Sequence, residues 1–143
     1  MEEISSGGRV ERPQLMSPLA LAFVGDGVYG LLAREHLASL GNAPVGRLHS
    51  RAVELVSAKA QSAAYERIAG LLTEEEAAVY RRGRNANTTR SPKHTELAVY
   101  RRATGVEALF GWLYLSGRAQ RLRQLFDAIL DTSGTEEKET EEG

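Results

Sequence analysis

Apolar residues in this sequence recur three and four positions apart, and no stretch sustains the one-in-two alternation of a half-buried strand. That periodicity confines the chain to an all-α fold. Ser17-Pro18 supplies a cap with proline at the first helical position, and the pattern then runs to about Leu40-Gly41. Pro44 opens a shorter stretch with Val45, Leu48, Ala52 and Leu55, and Ser57 caps another carrying Ala60, Ala64, Ile68 and Leu71. Thr73-Glu-Glu-Glu76 reads as a capping box. From Arg81 to His94 the chain turns polar and basic, with Gly83, Asn85, Asn87 and Pro92 as expected breakers. Thr95-Glu96 restarts a long helix to about Leu115, Ser116-Gly117 punctuates, and Leu122, Leu125, Phe126 and Ile129 line a last one. The expectation is about six helices in one domain over residues 17–130, with a flexible lead-in at 1–16 and an acidic disordered tail at 131–143.

Length fits one domain: 143 residues, 42% hydrophobic and 26% charged. The chain has no cysteine, which excludes a disulfide scaffold, zinc–thiolate sites, iron–sulfur clusters and cysteine catalysis. It shows neither an apolar secretory segment at its start nor a run long enough to span a membrane, so a cytoplasmic location and no membrane partner are expected. The net charge of −1 conceals a division. Residues 131–143 hold six acids and one base, whereas residues 1–130 hold seventeen bases and thirteen acids, a balance of +4. Within those, residues 81–123 carry ten Arg or Lys against Glu96 and Glu107 alone. Such a basic half suits a polyanionic partner, and equally a solvated helix face.

Two carboxylates stand where apolar residues belong. Leu19, Ala22, Phe23, Gly30, Ala33 and Leu37 share one helical stripe with Asp26 in its middle. On the later helix Tyr100, Ala103, Thr104, Phe110, Gly111 and Tyr114 surround Glu107 in the same way. Burying a charge costs several kcal/mol unless it is paired or holds a metal. Gly25, Gly27 and Gly30 cluster around Asp26, and Gly105 and Gly111 around Glu107. Each glycine inside a helix costs about 1 kcal/mol relative to alanine, so several together signal a close approach of backbones. Two readings follow: helices crossing tightly with both acids in one cleft, or acids that merely accept hydrogen bonds from neighbouring arginines. As a site, two acids without cysteine or histidine suit a hard cation such as Mg²⁺ or Mn²⁺.

Other motifs lead nowhere. Gly25-Asp-Gly-Val-Tyr-Gly30 matches G-x-G-x-x-G but lies inside a helix and puts an acid where a pyrophosphate needs positive potential. P-loop and H-E-x-x-H patterns are missing, and His36, His49 and His94 lack metal-ligand spacing. The segment from Arg81 to His94 has five Arg or Lys, no acid and no aromatic residue. Its candidate RNA contacts are Arg81, Arg82, Arg84, Asn85, Asn87, Arg90 and Lys93, which suit duplex phosphates and ribose better than stacking on single-stranded bases.

Phe23-Val-Gly-Asp-Gly-Val-Tyr29 and Thr104-Gly-Val-Glu-Ala-Leu-Phe-Gly111 together resemble the ribonuclease III catalytic domain. Leu19 to Asp26, Val56-Ser-Ala-Lys-Ala-Gln61 and Arg81-Arg-Gly-Arg-Asn-Ala-Asn87 are similar to segments of the bacterial Mini-III subfamily, short chains without an appended double-stranded-RNA-binding domain. The resemblance spans roughly Ser17 to Leu130. It implies an all-helical homodimer and Mg²⁺-dependent endonucleolytic hydrolysis of double-stranded RNA leaving 5′-phosphates, with Mn²⁺ as a substitute ion. It also implies Asp26 and Glu107 as the catalytic, metal-holding acids, and the ends of the 23S ribosomal RNA precursor as substrate. Larger members carry a glutamate where this chain has Ala22 and an aspartate where it has Thr104, a reduction shared with Mini-III proteins. The competing functions are a noncatalytic, ribosome-associated RNA-binding module on the same fold, and an interaction protein with a purely structural buried pair.

Overall fold

The computed structural model describes residues 10–86 and 96–131. Among the described residues the architecture is all-helical: α1 (Pro18–Ser39), α2 (Val45–Val56), α3 (Ala58–Ile68), α4 (Glu74–Arg84), α5 (Leu97–Leu115) and α6 (Ala119–Leu130). Local chemistry starts these helices where the sequence expects. The Ser17 hydroxyl accepts from the Ala20 amide, Ser57 does the same for Ala60, and Thr73 and Glu76 close a reciprocal capping box. Within the 1–16 lead-in, Pro13–Leu15 forms a 3-10 turn with Pro13 buried, and Met16 packs against the core.

The centre of the fold is α5, packed against α1, α3 and α4 and touched by α6. It buries Ala103 to Val106 and Ala108 to Leu113, so it is apolar nearly all round rather than on one stripe. Glycine sets how close its neighbours come. A methyl group added at Gly25 would lie 1.7 Å from the Glu107 carbonyl oxygen, and one at Gly111 would lie 2.0 Å from that of Leu21. On the other side, a methyl at Gly83 would meet Ala108 at 2.6 Å, and one at Gly105 would strike the Tyr80 ring at 2.6 Å. The α1–α5 crossing is backbone against backbone, whereas at the α4–α5 crossing a side chain is the nearest obstacle. Tyr29, Phe110 and Phe126 then join α1, α5 and α6, with ring centroids 5.1 Å and 5.5 Å from Tyr29.

Two expectations change. The α1 stripe includes Leu19 and Phe23, yet both are exposed, Phe23 to 83%. The buried face instead carries Leu21, Ala22, Gly25, Tyr29, Leu32 and Ala33, because Gly25 must face Gly111 and that contact selects which side of α1 turns inward. The polar segment expected from Arg81 begins later: Arg81 to Arg84 form the last turn of α4, with Asn85 as its cap. Gly83 is a packing site and not a breaker, and the arginines sit at the negative end of the helix dipole, where cations stabilise it.

A second acid lies inside. Glu76 is 1% exposed, and burial would raise its pKa, but the Arg121 guanidinium at 2.8 Å and the Thr73 amide outweigh that and hold it below the ordinary glutamate range. A depressed carboxyl contributes stability above its unfolded value and loses it as the pH falls through the folded one. Arg121→Met should therefore destabilise the protein by about 3 kcal/mol at neutral pH, because it strands a buried charge. In urea titrations the difference should shrink as acid protonates Glu76; a difference constant down to pH 3 would assign the loss to packing instead.

Candidate active site

The close crossing of α1 and α5 decides where Asp26 and Glu107 end up. Gly25 lies against the backbone of Glu107, so the next residue on α1, Asp26, stands beside the Glu107 side chain. The two carboxyl groups stand close enough to act on each other's charge. Asp26 is exposed and Glu107 is half-buried, so the pair opens to solvent on the aspartate side. Burial, followed by the closeness and negative charge of Asp26, pushes the Glu107 pKa up to about 8. No arginine or lysine is among the groups that set this pKa. Among the described residues neither acid forms an ion pair with an arginine or lysine.

The floor of the site is polar but uncharged. Tyr29, buried beneath, has its hydroxyl pKa pushed well above the usual tyrosine value by burial and then by the charge of Glu107. Gln61 of α3 is 2% exposed and its amide is close enough to Glu107 to oppose part of the glutamate's rise, yet Nε2 completes no hydrogen bond of ordinary geometry. An unmade buried donor costs about 1–3 kcal/mol. Beside it Ser62 accepts from Arg102 Nε at 2.7 Å. Tyr80 stacks on Tyr65 with centroids 3.9 Å apart, and the Arg84 guanidinium lies 5.7 Å over the Tyr80 ring.

At the two positions where larger enzymes carry further acids, the structure places no ligand. Ala22 is buried, and the Thr104 hydroxyl donates back to the Tyr100 carbonyl at 3.0 Å. Among the described residues no group of three or more His, Cys, Asp or Glu converges. The expected RNA contacts divide. Arg81 is exposed at the end of α4, and Arg84 Nε donates to the Asn85 side chain at 3.3 Å. The Arg82 guanidinium instead donates to the carbonyls of Gln14 and Met16, tying the lead-in to α4. Asn87, Arg90 and Lys93 lie outside the described residues.

Gln61 and Arg102 were not among the residues expected here. For Gln61 the signal was available, since it shares helical spacing with the buried Ala64 and Ile68, a polar residue on an apolar face like Asp26. Arg102 lies beside the equally charged Arg101, and only packing against Ser62 distinguishes it.

The Ribonuclease III domain profile matches residues 19–118, which include the α1–α5 crossing and both acids. The chain belongs to the ribonuclease III family. Its relatives are of the short kind: it is 47% identical to a Thermoanaerobacter Mini-ribonuclease 3 over 78% of this chain and 79% of that one. It is 42% identical to the Symbiobacterium thermophilum Mini-ribonuclease 3 over 86% of this chain and 95% of that one. A crystal structure of a Fusobacterium nucleatum protein superposes with a TM-score of 0.75 at 27% identity, covering 85% of this chain and 97% of that one.

The raised Glu107 has a thermodynamic consequence. A carboxyl whose folded pKa exceeds its unfolded value gives stability that is complete below about 4.5 and lost as the pH climbs through about 8. In EDTA the protein should unfold at lower urea at pH 8.5 than at pH 6. Asp26→Asn should reduce that difference by removing the neighbouring charge. An unchanged pH dependence in the variant would separate the two carboxyls.

Proposed function

We propose that this chain is an endoribonuclease that hydrolyses double-stranded RNA, using a divalent cation held between Asp26 and Glu107. The observation that carries the reading is the pair itself. A protein of the ribonuclease III family brings two acids from distant parts of its chain side by side, and among the described residues neither forms an ion pair with a base. The donor set fits the ion: two carboxylates, one open to solvent and neither opposed by an arginine, offer hard oxygen ligands to Mg²⁺ or Mn²⁺. When bound, such a cation supplies electrostatic stabilisation for the charge that builds on the phosphate oxygens, and it makes water a better nucleophile at neutral pH.

The chain's own residues do the rest. Asp26 and Glu107, fixed by the rigid α1–α5 crossing, would hold the cation between them. Arg81, Arg84 and Asn85, at the end of α4, present donors to backbone phosphates and so orient the duplex, with Asn87, Arg90 and Lys93 continuing the same basic run. The structural role of Arg82 makes it the exception, since its donors already serve Gln14 and Met16. Phe23, on α1 three residues before Asp26 and 83% exposed, is the natural centre of a homodimer contact that places two such sites on one duplex. We infer a cytoplasmic enzyme acting on the end stems of the 23S ribosomal RNA precursor, leaving 5′-phosphates. A noncatalytic RNA-binding module would gain nothing from two exposed or half-exposed acids beside phosphates.

Asp26→Asn and Glu107→Gln should each lower Mg²⁺-dependent cleavage of a perfect RNA duplex by at least 10³-fold, on the order of the loss seen for other groups that stabilise developing charge. Duplex binding in a mobility-shift assay should be retained. Full cleavage by either variant would refute the assignment, and so would cleavage that EDTA leaves untouched. A ribosomal precursor stem compared with an arbitrary duplex of equal length tests the substrate. Phe23→Ser should convert the protein to a monomer in light scattering; an unaltered mass would place the dimer contact elsewhere.

A further inference from the structure

The Gln61 amide has no explanation in packing. It sits on α3 with its side chain 2% exposed, in a helix whose other inward residues include Ala64 and Ile68. Its neighbour Ser62 has a partner in Arg102, whereas Gln61 Nε2 has none of ordinary geometry. The group it approaches is the Glu107 carboxyl. An apolar residue would fill this place without leaving a buried donor unmade, so the amide answers to the acceptor it approaches, the Glu107 carboxyl.

We propose that Gln61 is a positioning residue for Glu107, its Nε2 donating to the Glu107 carboxylate when a divalent cation is bound; this rests on the cation-holding role assigned to Asp26 and Glu107. A carboxylate offers two oxygens with lone pairs to spare, enough for a cation and a hydrogen-bond donor together. A Glu107 carboxylate that held a cation would still have lone pairs for a hydrogen bond from Gln61. An amide is the right donor for that task. A lysine or arginine would compete with the cation for the carboxylate and repel it, whereas an uncharged N–H fixes the orientation of the ligand without opposing the ion. Outer partners of this kind are worth about 10- to 100-fold in metal affinity.

The test is Mn²⁺ binding to the full chain, read by the loss of the free-ion paramagnetic resonance signal, together with cation-free melting temperature. Gln61→Leu and Gln61→Met both remove the donor while keeping bulk, so one serves if the other folds poorly. Each should weaken Mn²⁺ binding about 10-fold or more, with the cation-free melting temperature equal to or above that of the unaltered protein. In the unaltered protein, the Gln61 side-chain NH₂ resonance should move downfield on saturation with Mg²⁺. Retained Mn²⁺ affinity, affinity lost in step with cation-free stability, or an unmoved Gln61 resonance would each overturn the role. Asp26→Asn distinguishes the two levels: if it abolishes Mn²⁺ binding while the Gln61 variants keep it, only the positioning role fails. If the unaltered chain binds no Mn²⁺, the cation-holding site fails and the role goes with it.

Discussion

Where α1 crosses α5, the two backbones touch through Gly25 and Gly111, and the rest of the structure is arranged around that contact. A methyl group on either side would overlap a carbonyl oxygen of the opposite helix, at 1.7 Å or 2.0 Å. No side chain can shift to make room, because the obstacle is backbone. The approach brings Asp26 beside Glu107, turns Tyr29 inward onto Phe110 and Phe126, and leaves Phe23 outside. A second glycine crossing, Gly83 with Gly105, seats α4 on the same helix and carries Arg81 and Arg84 to its end. Two pairs of glycines thus set where both the acids and the bases of the site stand.

The fold holds two inward glutamates and treats them in opposite ways. Glu76 is nearly inaccessible, yet its pKa is lowered, because Arg121, Thr73 and a helix N-terminus surround it with donors. Glu107 has its pKa raised to about 8, because burial disfavours its charge and the acid beside it, Asp26, adds to the effect. The first is a completed ion pair inside the protein and contributes to holding α4 and α6 together. The second is an uncompleted one, stable only by retaining a proton, and it lies where solvent and ions can reach it through Asp26.

Helix order and helix starts were legible in the sequence because caps act locally: Ser17, Ser57 and Thr73 each bond an amide within three residues. The two acids were legible for a related reason, since a carboxylate on an apolar helical stripe is conspicuous whatever the fold. Gln61 gave the same signal more faintly, as an amide breaks an apolar pattern less sharply than a charge. Arg82 and Arg102 were not distinguishable from the other arginines around them, because what separates them is a carbonyl or a hydroxyl more than thirty residues away.

By itself, then, the sequence determined the all-helical class, the helix starts and the candidacy of Asp26 and Glu107, all of which depend on spacing along one helix or on hydrogen bonds within a turn. Tertiary structure alone decided which side of α1 faces inward, that Arg81 to Arg84 belong to α4, that Arg82 is spent on the lead-in, and that Gln61 points an unbonded amide at Glu107. The physical reason is range. Caps and periodicity are settled among neighbours in the chain, while the rotation of a helix about its axis, and the partner of each long side chain, are fixed only when glycine lets one backbone rest on another.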